Sequence, residues 1–236
     1  MTQSPLDQSN SQQVQEMFRR IAPRYDLFNT VATLGRDGAW RRQATKSAAP
    51  GGVVDALDAA TGAGKLAMEL LTRADRVTAF DFADRMVALA QKRLEPHGSR
   101  ARTLLADAMA MPFADGSFDC ATIGFGLRNV KEPKGCLEEF LRVLRPGGRL
   151  VVLDISRPAG GAHLLIYQAA FKLLFPLVGW ALSGHQAAYQ YLPASVDAFL
   201  SPFALARLLE CAGFTGVTYQ VLHFSTITIH VGVKPL

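Results

Sequence analysis

Apolar residues recur along this chain with two different periods, and the change between them divides it. After a polar tail (residues 1–10), Val14, Met17, Phe18 and Ile21 fall at i, i+3, i+4 and i+7. That spacing predicts an amphipathic helix closed by Pro23. Two further short helices are expected over 27–34 and 39–47. From Val53 short apolar runs alternate with helical stretches. VVDALDAA (53–60), VTAFDF (77–82), RTLLADA (102–108), FDCATIGFG (118–126) and RLVVLDIS (149–156) read as strands. KLAMELLTRA (65–74), ADRMVALAQKRLE (83–95) and EPKGCLEEFLRVL (132–144) read as helices, the last stopped by Arg145-Pro146-Gly147-Gly148. Such alternation predicts an α/β fold, a parallel sheet with helices on both faces.

The end of the chain breaks the pattern. A helix over 196–212 is expected to stop at Gly213, and two β-rich runs, 217–224 and 226–233, follow almost back to back. So short a link allows only antiparallel pairing, because a parallel pair needs a crossover. The expectation is therefore one domain over 11–236, with a helical cap over 11–50 and an insertion over 158–195.

Charge is unevenly placed. Arg19, Arg20, Arg24, Arg36, Arg41, Arg42 and Lys46 face only Asp26 and Asp37 in the segment 19–46, which accounts for the whole net charge of +5. A basic patch of this kind suits an anionic membrane surface or nucleic acid, or is simply a solvated helix face. No nucleic-acid module accompanies it, so nucleic acid is the weaker partner. Residues 158–206 carry only Lys172 and Asp197 as formal charges. Within them HLLIYQAAFKLLFPLVGWALS (163–183) is nearly long enough to span a bilayer. Lys172 near its centre costs about 2.5–3.5 kcal/mol on an insertion scale. With Gln168, Pro176 and Gly179 it favours an apolar lid on a soluble protein, or core or dimer packing. Cys120, Cys136 and Cys211 have neither metal-site nor disulfide spacing, and residues 1–15 lack the apolar core of a secretory leader. A reducing cytoplasm and no metal are the expectations.

The candidate chemistry begins after the first strand, at Asp58-Ala59-Ala60-Thr61-Gly62-Ala63-Gly64-Lys65. Gly62 and Gly64 permit a tight strand-to-helix turn and close approach to a ligand. With Ala67 they fit a dinucleotide-type pattern, and Asp81 is placed to bind ribose hydroxyls. The pattern alone does not separate a nicotinamide dinucleotide from an adenosyl ligand. Asp58 helps to do so, because a carboxylate beside a pyrophosphate is repelled, by roughly 1 kcal/mol per charge pair at 4 Å in water. It attracts an ammonium or a sulfonium instead. S-adenosylmethionine has both and no phosphate. Asp107-Ala108, ending the third strand, is placed either to accept from an adenine amino group or to cap a turn.

Several segments together resemble one family: FRRIAPRYDLFN (18–29), DAATGAGK (58–65), FDFADRM (80–86), ADAMAMPFADGSFD (106–119), GFGLRNV (124–130), RVLRPGGRLVVLDIS (142–156), YQYLPAS (189–195) and HVGVKP (230–235). The chain is similar to the ubiquinone/menaquinone biosynthesis C-methyltransferases, from about Val14 to Pro235. The resemblance implies a class I S-adenosylmethionine-dependent methyltransferase (Rossmann-like) fold, seven-stranded with one antiparallel strand. It implies a donor held by Asp58, Gly62, Ala63, Gly64, Asp81, Asp107, Ala108 and Gly124. The implied reaction is methylation of a ring carbon of a polyprenyl naphthoquinol, demethylmenaquinol becoming menaquinol. A benzoquinol or phytyl-naphthoquinol remains open, as do, from other classes, a nicotinamide-linked oxidoreductase and an inactive quinone-complex scaffold. Two departures from the family pattern stand in the loop, where Ala63 lacks a hydroxyl and Lys65 replaces an acid.

Carbon becomes nucleophilic here once a ring hydroxyl loses its proton. The candidates on that side are Arg128, Asn129, Tyr25 and His230. Protonated Arg128 could stabilise an oxyanion but not act as a base. His230 has an ordinary pKa near neutrality, yet on a terminal strand it reads equally as a satisfied core histidine. Tyr189 and Tyr191 either line the ring pocket or pack the lid. The partners implied are a polyprenyl quinol and, transiently, the inner face of the membrane, with a homodimer left open.

Overall fold

The apolar runs form the strands, and each run's alternate residues feed opposite faces of one sheet. The computed structural model describes residues 35–156, 195–222 and 226–236, together with Glu16, Arg19, Thr30 and Thr33. Its elements are α1 (Asp37–Ala48), β1 (Val53–Ala59), α2 (Lys65–Leu70), β2 (Ala74–Asp81), α3 (Asp84–Leu94), β3 (Ala101–Leu105), β4 (Phe118–Gly124), α4 (Pro133–Val143), β5 (Leu144–Ile155), α5 (Pro202–Cys211), β6 (Thr215–Leu222) and β7 (Ile227–Val233). Apart from those four residues, the expected helices over 14–23 and 27–34 lie outside the described residues, as do Tyr25, Tyr189, Tyr191 and the apolar segment as far as residue 194.

The seven strands run in the order β3-β2-β1-β4-β5-β7-β6. Strand β7 is antiparallel to both neighbours, β5 and β6, while the other pairs are parallel. The expected sheet, with the two terminal runs inside it, is therefore the one observed. Leu57, Ala121, Ile123 and Val152 pack on one face against Leu137 and Phe140 of α4 and Leu205 and Leu209 of α5. Ala56, Cys120, Val151 and Leu153 pack on the other against Trp40, Ala44 and Ala48 of α1 and Leu66 and Leu70 of α2. The period of two along each strand thus builds a three-layer core.

Several boundaries differ from expectation; the helix expected over 65–74 ends at Leu70 and the strand expected over 102–108 at Leu105. Strand β5 begins at Leu144 and carries Arg145-Pro146-Gly147-Gly148 inside it. A register shift absorbs the extra residues, since Phe118 pairs with Leu144 and Cys120 with Arg149. Strand β2 begins at Ala74, three residues early, because Arg76 forms an ion pair with Asp55 of β1 at 2.7 Å. The expected helix over 196–212 is a turn at 195–198 followed by α5, whose start is set by Ser201 accepting the Ala204 N–H at 3.2 Å, with Pro202 in its first turn.

The chain runs outward from β1 to β3 and then returns to β4 beside β1. That reversal leaves a crevice at the carboxyl ends of β1 and β4, where ligands of open α/β sheets bind.

Candidate active site

The crevice is floored by the turn after β1. Gly62 and Gly64 have φ of +56° and +81°, values that strain any side-chain-bearing residue. A Cβ on Gly64 would lie 3.2 Å from the Ala90 Cα, so this glycine seats α2 against α3. The Gly62 N–H donates to Asp81 Oδ2 at 2.9 Å, and the Ala83 N–H to Asp81 Oδ1 at 3.0 Å. Asp81 thus fixes the loop from the end of β2. Burial raises its pKa while these N–H groups pull it down.

The resulting cavity is lined by Gly62, Asp81, Asp107, Ala108, Gly124 and Asn129, with Phe80, Phe82, Met86 and Met109 as apolar walls. The structure therefore brings together most of the residues expected from sequence. Asp107 Oδ1 accepts the Met109 N–H at 2.9 Å, so it does cap a turn, while its carboxylate still lines the cavity. At Gly124 a Cβ would come within 2.9 Å of the Leu66 Cδ2. Phe125, with φ of +58°, carries backbone strain beside the cavity.

Asp58 is placed differently from expectation. It is fully buried beneath the floor and touches no part of the cavity surface. Its carboxylate accepts the hydroxyls of Thr61 at 2.6 Å and Thr122 at 2.7 Å. Burial pushes its pKa up to about 6, against those hydrogen bonds and the nearby Arg41. Any attraction it exerts on a cation acts from below and not by contact. Gly64 and Ala63 likewise stand outside the cavity wall, and the Ala63 carbonyl accepts from Arg93 Nη1.

Lys65 neither enters the cavity nor reaches out to solvent alone. Its Nζ lies 3.2 Å from Asp37 Oδ2 of α1 and 3.3 Å from Thr30 Oγ1. The base that replaces an acid in the loop is thereby neutralised by an acid in the cap.

The candidates on the acceptor side separate. Asn129 lines the donor cavity, and its Nδ2 donates to the Phe125 carbonyl at 3.3 Å. Arg128 lines an adjoining cavity with Phe199, Leu200 and Leu208, and the two cavities share Val130 and Lys131. Arg128 Nη1 donates to Asp154 Oδ1 at 2.6 Å and to the Phe125 carbonyl at 2.8 Å, while its buried Nε has no hydrogen-bond partner. His230 is not brought to either cavity. It sits inside the sheet, stacked on Tyr219, with Nε2 at 2.8 Å from the Pro202 carbonyl. Burial lowers its pKa. By geometry it is a core histidine held through Nε2, and its buried Nδ1 has no hydrogen-bond partner.

Two acids in the wall and one beneath, against Lys131 as the cation lining the cavity among the described residues, suit a cationic adenosyl ligand and oppose a pyrophosphate. The profile of the ubiE/COQ5 methyltransferase family matches residues 6–234. The chain belongs to that family. It is similar to the demethylmenaquinone methyltransferase of Thermus thermophilus, with 46% identity over 221 residues, covering 93% of this chain and all of the relative. It is 41% identical to the ubiquinone/menaquinone biosynthesis C-methyltransferase UbiE of Desulfotalea psychrophila, covering 94% of this chain and 90% of that one. Among solved structures a SAM-dependent methyltransferase of Thermotoga maritima matches with a TM-score of 0.65 at 21% identity, covering 93% and 98% of the two chains. The ubiE/COQ5 relationship thus reaches across cap, sheet and terminal hairpin. Sequence patterns missed Phe125 in the cavity wall and the hold of Thr61 and Thr122 on Asp58, because Thr122 and Asp58 meet across different strands.

Proposed function

We propose that this methyltransferase uses S-adenosylmethionine to methylate a ring carbon of demethylmenaquinol, giving menaquinol. The near-full-length likeness to a protein named for that reaction carries the reading, and the acid-lined cavity, whose loop N–H groups at Thr61, Gly62 and Gly64 are already engaged within the protein, fits the donor. When bound, S-adenosylmethionine supplies an electrophilic methyl carbon on its sulfonium. Asp81 would hold the ribose hydroxyls and Asp107 the adenine amino group, between the apolar walls of Phe80, Phe82 and Met109. Asn129 borders the donor and Arg128 the adjoining cavity, so the ring to be methylated would lie at their boundary. Arg128 would stabilise the quinolate oxygen, and Tyr25 would orient it. The hydroxyl proton leaves to solvent before the ring carbon takes the methyl group; that carbon then loses its own hydrogen as a proton and the oxygen is reprotonated, which restores the aromatic quinol with net release of one proton. Positioning of two reactants in line supplies at most about 7–11 kcal/mol of such a barrier. Calorimetry with S-adenosylhomocysteine and with NADH tests the donor: S-adenosylhomocysteine is expected to bind, and binding of NADH alone would end this reading.

The apolar segment 158–195 is proposed as a lid over the polyprenyl tail, and the basic cap as its docking face on an anionic membrane. No helix among the described residues is long and apolar enough to cross a membrane. Peripheral contact from the cytoplasmic side is the corresponding proposal. Each buried CH₂ of a tail contributes about 0.8 kcal/mol. Leu173→Asp with Phe175→Asp should weaken liposome binding and activity on long-tailed quinols, sparing donor binding and a short-tailed analogue. Equal loss on both quinols with unchanged liposome binding would place the segment in the core.

A further inference from the structure

The donor carries an anionic charge for which the cavity wall offers only Lys131 among the described residues. Asp58, Asp81 and Asp107 suit its ammonium, sulfonium, ribose and adenine, but its amino-acid end also bears a carboxylate. In the glycine loop the Thr61 N–H is engaged by the Phe80 carbonyl, the Gly62 N–H by Asp81 and the Gly64 N–H by the Thr61 carbonyl. Those three groups offer no nest for an anion.

One buried cation stands behind the wall. Arg41 projects from α1 with only 8% of its side chain exposed. Its guanidinium lies 5.4 Å from the centre of the Phe125 ring, and its Nη1 would be 3.9 Å from a Cβ built on Gly124. Gly124 and Phe125 both line the donor cavity, and the Arg41 guanidinium lies directly behind them, outside its wall. Arg41 lacks a close ion pair: Asp37 is 3.7 Å from Nε and shares the same carboxylate oxygen with Lys65 at 3.2 Å, while the buried Asp58 carboxylate acts on it only through space. Nε is buried without a hydrogen-bond partner. A guanidinium is costly to bury unless something completes its hydrogen bonding, and its fork matches a carboxylate.

Resting on the donor assignment above, we propose that Arg41 binds the carboxylate of the donor's methionine end, reaching it past Gly124. The cap helix α1 then contributes directly to the donor site, and the Lys65–Asp37 pair holds α1 at the height that presents Arg41. Methyl donors lacking the carboxylate are discriminated against by the same contact.

The test is calorimetry on the full chain with S-adenosylhomocysteine and with decarboxylated S-adenosylmethionine, which lacks the carboxylate. Arg41→Ala is expected to weaken S-adenosylhomocysteine roughly ten- to a hundredfold, as for a lost hydrogen bond between charged groups. It should leave the decarboxylated ligand within about twofold of the unaltered protein, a selectivity that general unfolding cannot produce. Arg41→Lys should fall between, keeping the charge without the fork, and Lys131→Ala, at the cavity wall, should not reproduce the pattern. Equal loss of both ligands in Arg41→Ala, unchanged affinity for both, or the selective loss in Lys131→Ala instead would overturn the assignment of Arg41 while leaving the donor reading intact. Failure of the unaltered protein to bind S-adenosylhomocysteine would overturn both.

Discussion

Replacing Asp154 by alanine is expected to destabilise the protein by about 3–5 kcal/mol, the cost of leaving one member of a buried ion pair alone. Asp154 is fully buried and the Arg128 side chain is 7% exposed. The carboxylate receives Arg128 Nη1 and the backbone N–H groups of Arg128 and Ile155. Denaturant unfolding measures the loss. The informative companion is Arg128→Met with Asp154→Leu, which removes both charges and should recover most of the stability, since apolar replacement of a buried pair is often neutral or better. Methyl transfer should stay lost in the double variant while donor binding persists, because Arg128 also borders the cavity assigned to the quinol. Recovery of transfer along with stability would confine the pair to a structural role.

Acidification is expected to move donor binding and this site's stability contribution in opposite directions. Burial raises the Asp58 pKa from 3.8 to about 6. Its buried charge therefore costs stability above pH 6, and the cost is relieved as pH falls from 6 towards 4. The ionised form favours a cationic donor, so affinity should fall through the same interval, by up to about tenfold per pH unit below the pKa. Asp58→Asn should bind S-adenosylmethionine at least about tenfold more weakly at pH 7.5, with little further dependence down to pH 5. It should also be more stable at that pH, by about 1–3 kcal/mol. The gain is limited because Thr61 or Thr122 must turn its hydroxyl to face an amide. Titration calorimetry and melts across pH 5–8 read both effects. Undiminished affinity in Asp58→Asn would mean that the carboxylate does not act on the donor.

The sheet was legible in the sequence because its strands are apolar runs set between helical stretches, and the short final link forced an antiparallel partner. Element ends were less so. Arg145-Pro146-Gly147-Gly148 reads as a loop, yet the register shift opposite Phe118 and Cys120 takes it into β5. That Gly62, Asp81 and Asp107 would line one cavity was legible, because their spacing after strand ends places them at one rim. The position of Asp58 relative to the cavity was not, since it depends on Thr122, 64 residues away. Lys65 reads as a misplaced charge until Asp37, 28 residues earlier, is seen beside it. His230 reads as a base candidate by residue type alone, and only the fold shows it enclosed between α5 and Tyr219. What sequence position cannot convey is the partner contributed by a distant strand.

Incubating the purified protein with S-adenosylmethionine and chemically reduced demethylmenaquinone, then analysing the quinone by mass spectrometry, tests the assigned reaction. One methyl group gained on the naphthoquinone ring is expected, with one S-adenosylhomocysteine formed for each. A quinol recovered without a new methyl group, from protein that binds the donor and is folded, would contradict it.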